Sequence, residues 1–154
     1  MPIPPGLAAP GTGHAEFEDV GGIDELPVGT MLRVTRGDVD LLLVHSAAGL
    51  CVTDDRCPHM AAPFSVGYLA DCQLACPLHR GRFDVRTGEV TQFPTTGGLD
   101  ADGTYHAPWT PPDGPAREQP ADTKAQARAA TRVRRLRYYP VRVTNGRVEV
   151  VFPR

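Results

Sequence analysis

Two short stretches of the chain combine the side chains that bind soft metals. Cys57-Pro58-His59 has the pattern C-x-H, and Cys76-Pro77-Leu78-His79 follows after sixteen residues with the pattern C-x2-H. Thiolate and imidazole bind zinc, copper, iron and iron–sulfur centres, whereas calcium and magnesium prefer oxygen ligands. A proline after each cysteine favours a tight turn. The pattern predicts two loops that hold one metal centre.

Two kinds of centre fit these ligands. A structural zinc ion would take two thiolates and two imidazoles in a tetrahedron and would make the chain a non-redox scaffolding module. A [2Fe–2S] cluster in which two histidines replace two cysteines on one iron would take the same ligands. Zinc motifs more often place two like ligands in each half, which favours the cluster.

The motif and its flanks resemble the Rieske iron–sulfur domain, whose signature is C-x-H, a gap near sixteen residues and C-x2-H. CPHMAAPFSVGYL and CPLHRGRFDVRTGEV are similar to that family's two cluster-binding loops. ELPVGTMLRV, VDLLLVH and YPVRVTNGRVEVVF are similar to its framing strands, so the resemblance covers roughly residues 14–94 and 136–152. It implies an all-β fold, an antiparallel sandwich or barrel, that carries a Rieske-type [2Fe–2S] cluster.

The resemblance also implies a role for each ligand. By position, Cys57 and Cys76 would bind the inner iron, and His59 and His79 would bind the outer iron near the tip of the protein. Thiolates cancel positive charge and favour burial, while neutral imidazoles leave the outer iron easier to reduce.

Quinol-oxidising members of the family tie their loops with a disulfide and donate hydroxyl hydrogen bonds to the cluster sulfurs. Here the cysteine positions correspond to Ala61 or Ala62 and to Leu78, and the hydroxyl positions to Gly81 and Phe83. Fewer donors lower the potential of a cluster, so we expect a value near the low end of the Rieske span, roughly −150 mV.

The resemblance therefore implies a low-potential ferredoxin, an electron carrier from a reductase to an oxygenase or a similar enzyme. A small Rieske subunit of a nitrite-reductase-like complex is the alternative. The loop departs from the ferredoxin pattern in one place, because Arg80 stands where glycine usually follows the second histidine. Its side chain would either steer an acidic partner or point to solvent.

The elements that must position the loops are short strands. Residues 30–35, 39–45 and 50–53 read as strands separated by turn residues, and residues 14–20 as an edge strand. Two alternating segments flank Asn145-Gly146, a dipeptide suited to a type I′ hairpin turn. Glycine and proline contribute 16 residues each, which argues against a helical bundle.

We expect residues 1–13 to form a flexible tail and residues 14–154 a single domain. An insert near residues 95–135 is rich in turn residues and ends in a predicted helix over 124–135. Residues 1–100 carry a net charge of −7 and residues 101–154 one of +5. This asymmetry suggests that the insert is a protein–protein surface, for a redox partner or for a homo-oligomer.

Other functions lack support in the sequence. There is no nucleophile–base constellation or phosphate loop, so we expect an electron-transfer component rather than an enzyme, with no catalytic residue of its own. We expect no nucleic-acid partner, no membrane association and a cytoplasmic location. Cys51 and Cys72 lie in apolar surroundings and are interpreted as inert thiols.

Overall fold

The computed structural model describes residues 1–78, 80–94 and 133–154. Within these ranges the chain forms antiparallel strands and two single-turn 3-10 helices, at Ile23–Glu25 and Phe64–Val66. The strands are β1 Glu18–Gly22, β2 Thr30–Arg36, β3 Val39–Ser46, β4 Gly49–Asp54, β5 Tyr68–Ala70, β6 Gln73–Ala75, β7 Arg82–Asp84, β8 Val90–Gln92, β9 Val141–Thr144 and β10 Arg147–Val150. The all-β prediction is confirmed.

The described strands form three antiparallel sheets. One has the order β2-β3-β4, a second β5-β6-β7-β8, and a third β1-β10-β9. The four-stranded sheet carries the second predicted loop between β6 and β7, and the first predicted loop leaves β4. The metal-binding motif is therefore built where the β2-β3-β4 sheet meets the four-stranded sheet.

Strand β3 explains how these sheets pack together. Leu42 and Val44 lie in a hydrophobic core that also contains side chains of β6 and β7. Leu41 and Leu43 lie in a second core that contains side chains of β10. Because neighbouring residues of a strand point to opposite faces, a strand covered on both faces needs a continuous apolar run. The sequence LLLV at the centre of β3 meets that need.

The C-terminal hairpin has the predicted turn. Asn145 and Gly146 have φ values of 51° and 75°, as a type I′ turn requires. The pairing runs from Thr144 opposite Arg147 to Val141 opposite Val150. The predicted edge strand also forms and pairs with β10, but it spans Glu18–Gly22 instead of beginning at residue 14, with an irregular register between Asp19 and Gly21.

The prediction of a flexible tail over residues 1–13 needs correction. Leu7 and Ala9 are buried, and the backbone N–H of Ala9 donates to the carbonyl oxygen of Tyr138 at 2.8 Å. Tyr138 donates in turn to Leu7 at 2.8 Å. The segment therefore packs as an added strand-like piece along Tyr138, because its few apolar side chains complete the two cores.

Most of the predicted helix over 124–135 lies outside the described residues. The same holds for most of the insert near 95–135. No helix in the described ranges has the length and apolar character needed to cross a membrane.

Candidate metal centre

The first loop runs from Cys57 to Pro63, between β4 and the 3-10 helix at Phe64–Val66. The backbone N–H of Cys57 donates to the carbonyl oxygen of Ala62 at 2.8 Å, and the N–H of Ala61 donates to that of Cys57 at 2.9 Å. Ala61 has a φ of 59°, which turns the chain back on itself. These bonds close the loop directly behind the cysteine.

The second loop runs from Cys76 to Gly81, between β6 and β7. The backbone N–H of Cys76 donates to the carbonyl oxygen of Gly81 at 2.8 Å, which closes the base of this loop. Arg80 has a φ of 58°, the left-handed region that glycine adopts most readily. Its carbonyl oxygen accepts a hydrogen bond from Nε2 of Gln92 at 3.1 Å. The predicted ligand His79 lies outside the described residues.

The two loops bring their cysteine side chains together. Cys57 is 3% exposed and Cys76 is 5% exposed, and their thiols are hydrogen-bonded to each other. Backbone N–H groups of His59 and Met60 donate to the sulfur of Cys57, and the N–H of Leu78 donates to that of Cys76. The pair therefore sits in a buried site whose backbone amides favour thiolates.

The thiol pair ionises unevenly. The hydrogen bond from Cys76 is the main cause that lowers the pKa of Cys57 to about 7, and the backbone amides act in the same direction. The same thiol–thiol contact, together with burial, raises the pKa of Cys76. The pair without metal therefore favours one thiolate and one thiol. A bound metal centre would compensate for the charge of a second thiolate.

These features test whether the site fits a thiolate-ligated centre. Two buried sulfurs in contact, with amides directed at both, suit soft metal ions, and half-buried His59 follows Cys57 by two residues. Within the described part of the chain, no three His, Cys, Asp or Glu side chains lie close enough to hold a metal ion. The structure thus unites the two cysteines, and the donor set fits.

A buried carboxylate that sequence reasoning missed fixes the end of the first loop. Asp55 has a fully buried side chain, and its oxygens accept the backbone N–H of Ser65 at 2.7 Å and the Ser65 hydroxyl at 2.7 Å. The Arg33 guanidinium lies 3.5 Å from the same carboxylate. The signal was present as two aspartates at the end of a buried strand, just before the motif.

A second carboxylate links the central sheet to the start of the loop. Asp40 accepts hydrogen bonds from Arg33 and from Arg56, each at 2.7 Å, and Arg56 directly precedes Cys57. The Arg33 hydrogen bond is the largest of several contacts that lower the pKa of Asp40 to about 2. Asp40 therefore stays ionised above about pH 4.

Close packing beneath the two loops leaves little room for larger side chains. The rings of Phe64 and Phe83 are fully buried and meet edge to face, with centroids 5.5 Å apart. A Cβ atom at Gly67 would overlap the carbonyl oxygen of Ala75, so only glycine allows this approach of loop and strand. A Cβ at Gly81 would lie 3.0 Å from Pro94.

None of the four cysteines forms a disulfide. Cys51 is buried, and burial raises the pKa of its thiol to about 12, in keeping with the prediction of an inert thiol. At the positions where a disulfide would tie the loops, Ala61 and Ala62 close the first loop, and Leu78 is 44% exposed. The loops are held by backbone hydrogen bonds.

Comparison with known families decides what this site is. Residues 16–103, more than half of the chain, match the family model of the Rieske [2Fe-2S] domain. The chain belongs to the Rieske family. Its centre is therefore a Rieske-type [2Fe–2S] cluster, which excludes the zinc module that the residues alone left open.

Relatives of this Rieske domain are ferredoxins. It is 40% identical over 78 residues to the ferredoxin component of a naphthalene 1,2-dioxygenase system from Pseudomonas aeruginosa, covering 51% of this chain and 75% of that protein. It is 39% identical over 75 residues to a 3-phenylpropionate/cinnamic acid dioxygenase ferredoxin subunit from Photorhabdus laumondii, covering 48% and 70%. The chain is accordingly an electron-transfer component rather than a catalyst.

Solved structures agree at the level of the fold. The ferredoxin of carbazole 1,9a-dioxygenase from Nocardioides aromaticivorans superposes with a TM-score of 0.58 at 20% identity, over 91% of this Rieske chain and all of that one. Apo dicamba monooxygenase superposes with a TM-score of 0.57 at 22% identity, over 88% of this chain and 33% of that one. The same fold thus forms a whole ferredoxin or one part of a longer chain.

Proposed function

We propose that this Rieske ferredoxin accepts one electron from a reductase and delivers it to the terminal oxygenase of a ring-hydroxylating dioxygenase-type system. The observation that carries the proposal is its 40% identity over three quarters of a naphthalene dioxygenase ferredoxin component.

The proposed ligands are Cys57 and Cys76 on the inner iron and His59 and His79 on the outer iron. The contact between the two buried thiols supports the cysteine half of this assignment. The histidine half rests on the sequence motif, with His59 at the second position after Cys57 and His79 at the third after Cys76.

The chain's own residues set the electrostatic and solvent environment in which the cluster would take up and release an electron. A Rieske cluster supplies a one-electron site and neither makes nor breaks a substrate bond. The amides of His59 and Met60 stabilise negative charge on the sulfur of Cys57, and the amide of Leu78 does so at Cys76. Buried Phe64 and Phe83 exclude water from beneath the loops.

We propose a potential at the low end of the family's span. Phe83 has no hydroxyl and packs edge-on against Phe64, and the space beside Gly81 is filled by Pro94. Neither position supplies a hydroxyl donor to a sulfur. Backbone amides remain as the donors, and a cluster with fewer hydrogen bonds to sulfur is harder to reduce.

Three further features belong to the proposal. Residues 14–154 form one domain together with the packed segment 1–13, its location is the cytoplasm, and the insert near 95–135 forms a surface for a redox partner or for a homo-oligomer. Deletion of residues 97–131 tests the last point. The cluster spectrum should be kept while electron transfer to the partner or self-association falls, and full retention of both would contradict it.

Single-turnover electron transfer tests the central proposal. The holo protein is reduced with dithionite, freed of excess reductant and mixed anaerobically with the oxidised oxygenase component of the naphthalene 1,2-dioxygenase system. We expect the reduced ferredoxin to be reoxidised as the oxygenase is reduced, followed by visible absorbance. A reduced protein that transfers no electron to this oxygenase or to one encoded beside it in the genome would overturn the proposal.

A further inference from the structure

Two arginines beside the candidate metal centre differ from most others in the described ranges. Nine of the twelve arginines there form ion pairs with carboxylates, at positions 33, 36, 56, 86, 134, 135, 142, 147 and 154. Within the same ranges Arg80, Arg82 and Arg137 have no carboxylate partner. Arg80 and Arg82 belong to the part of the chain with a net charge of −7, where acidic partners are abundant.

Both arginines line one cleft. It has a volume of about 350 Å³, and Cys76 and Pro77 form part of its wall together with Tyr68 and Gln92. Among the described residues, no acidic side chain lines this cleft. The cleft therefore presents two positive charges next to a proposed ligand of the cluster, and none of its described lining residues supplies a counter-charge.

Tyr68 holds the Arg82 guanidinium in position. Nη2 of Arg82 donates to the Tyr68 hydroxyl at 2.9 Å, and the guanidinium carbon lies 5.9 Å from the centre of the Tyr68 ring. This contact uses one of the five N–H donors of arginine and leaves the remainder of the planar fork available. A guanidinium held in this way loses less side-chain entropy when it binds a carboxylate.

Exposed apolar side chains are concentrated in the part of the sequence that builds the cleft and the two loops. Of eight large hydrophobic side chains exposed in the described ranges, five lie between residues 60 and 93: Met60, Val66, Tyr68, Leu78 and Phe93. Met60 and Leu78 belong to the two cluster loops themselves. Aromatic, methionine and arginine side chains are enriched in protein interfaces relative to the rest of the surface.

Resting on the proposed function, we propose that the cleft of Arg80, Arg82 and Tyr68 receives an acidic side chain of the electron-transfer partner. The partner's carboxylate would pair with the Arg82 fork and with Arg80, and the apolar loop side chains would pack around it. An Arg–carboxylate pair placed beside Cys76 would fix the orientation of the partner as well as attract it.

Binding of an acidic peptide tests the cleft without any redox reaction. The holo protein is titrated with acetyl-hexaglutamate-amide by isothermal calorimetry at about 10 mM ionic strength, where charges act over roughly 30 Å. We expect binding that Arg82→Gln and Arg80→Gln each weaken by about three- to tenfold. Tyr68→Phe should weaken it less, because the ring remains while the hydroxyl that orients Arg82 is lost.

Arg137→Gln is the matched control, since Arg137 also lacks a carboxylate partner among the described residues and is not one of the residues that line the cleft. It should leave peptide affinity unchanged, and every variant should keep the visible spectrum of the cluster. Equal weakening by Arg137→Gln and Arg82→Gln would overturn the proposal, because net charge alone would then explain binding. Absence of peptide binding, or equal binding of a hexalysine peptide, would overturn it as well.

One further arm separates a protein partner from a small anion. Free glutamate at the same carboxylate concentration should compete poorly with the peptide, and competition as strong as that of the peptide would overturn the docking proposal. Peptide binding does not depend on electron transfer. A failure to reduce the oxygenase with intact peptide binding would therefore contradict the proposed function and leave this inference standing.

Discussion

The carboxylate of Asp55 accepts both the backbone N–H and the hydroxyl of Ser65, each at 2.7 Å, and is itself fully buried. These bonds connect the residue two before Cys57 to the 3-10 helix that follows the loop. The buried side chain of Asp55 therefore connects the two ends of the first cluster loop.

Ser65→Ala removes one of the two hydrogen bonds that Ser65 donates to the buried carboxylate of Asp55. We expect a loss of about 1–2 kcal/mol, because a buried charge is left with a missing hydrogen bond. That corresponds to an unfolded population in urea about five- to thirtyfold larger, from which the cluster should be lost faster. Bleaching of visible absorbance measures the rate. Ser46→Ala, which removes bonds to neutral partners at the turn between β3 and β4, should have a smaller effect, and equal rates for the two variants would contradict this role.

Gly67→Ala tests the close approach between the end of the first loop and β6. The added methyl group would overlap the carbonyl oxygen of Ala75, a backbone atom that cannot move aside alone. We expect a destabilisation of about 3 kcal/mol or more and a low yield of iron and sulfide per chain. Gly13→Ala is the control, because nothing lies within 4 Å of its Cβ position. Normal iron content in Gly67→Ala would show that the loop tolerates displacement.

The acid stability of the fold should depend on Asp40. Its pKa in the folded state is about 2, chiefly because of Arg33, and lies below its value in an unfolded chain. The stability it contributes is therefore present above about pH 4 and is lost as the pH falls towards 2. Asp40→Asn should be less stable than the parent at pH 7 and should lose stability less steeply in that acid range.

Far-ultraviolet circular dichroism during urea unfolding at several pH values measures this dependence. Asp38→Asn in the adjoining turn, where the carboxylate makes no ion pair among the described residues, serves as the control. If the unfolding free energies of the parent and of Asp40→Asn changed in parallel with pH, Asp40 would make no pH-dependent contribution to stability.

The potential of the cluster is expected near the low end of the Rieske span, roughly −150 mV. Protein-film voltammetry of the holo protein measures it. The reason is structural, because Phe83 and Gly81 offer no hydroxyl to the cluster sulfurs and Pro94 fills the space beside Gly81. A value well above +100 mV would mean that other donors stabilise the reduced state.

The sequence predicted the parts of this molecule that depend on local pattern. The apolar run of β3 and the Asn145-Gly146 turn formed as expected because a buried strand and a type I′ turn each need particular residues at particular positions. The motif predicted that the loops of Cys57 and Cys76 would serve one metal centre, and the structure brings the two thiols together.

Other features depended on contacts between distant segments. Residues 1–13 have little secondary-structure signal, and they pack through backbone hydrogen bonds to Tyr138 and Arg154 and through the burial of Leu7 and Ala9. The strands β5–β8 have three residues each, too short for alternation to be recognised. The burial of Asp55 and the pairing of Arg82 with Tyr68, instead of with a carboxylate of the described residues, likewise arise only after folding.

Pulsed electron paramagnetic resonance of the reduced holo protein tests the account most directly. A Rieske centre held by Cys57, His59, Cys76 and His79 predicts a one-electron-reduced cluster with magnetic coupling to two histidine nitrogens. His59→Cys should remove one of these couplings. A reduced cluster without histidine coupling, or a protein that contains zinc and shows no paramagnetic signal, would contradict the account.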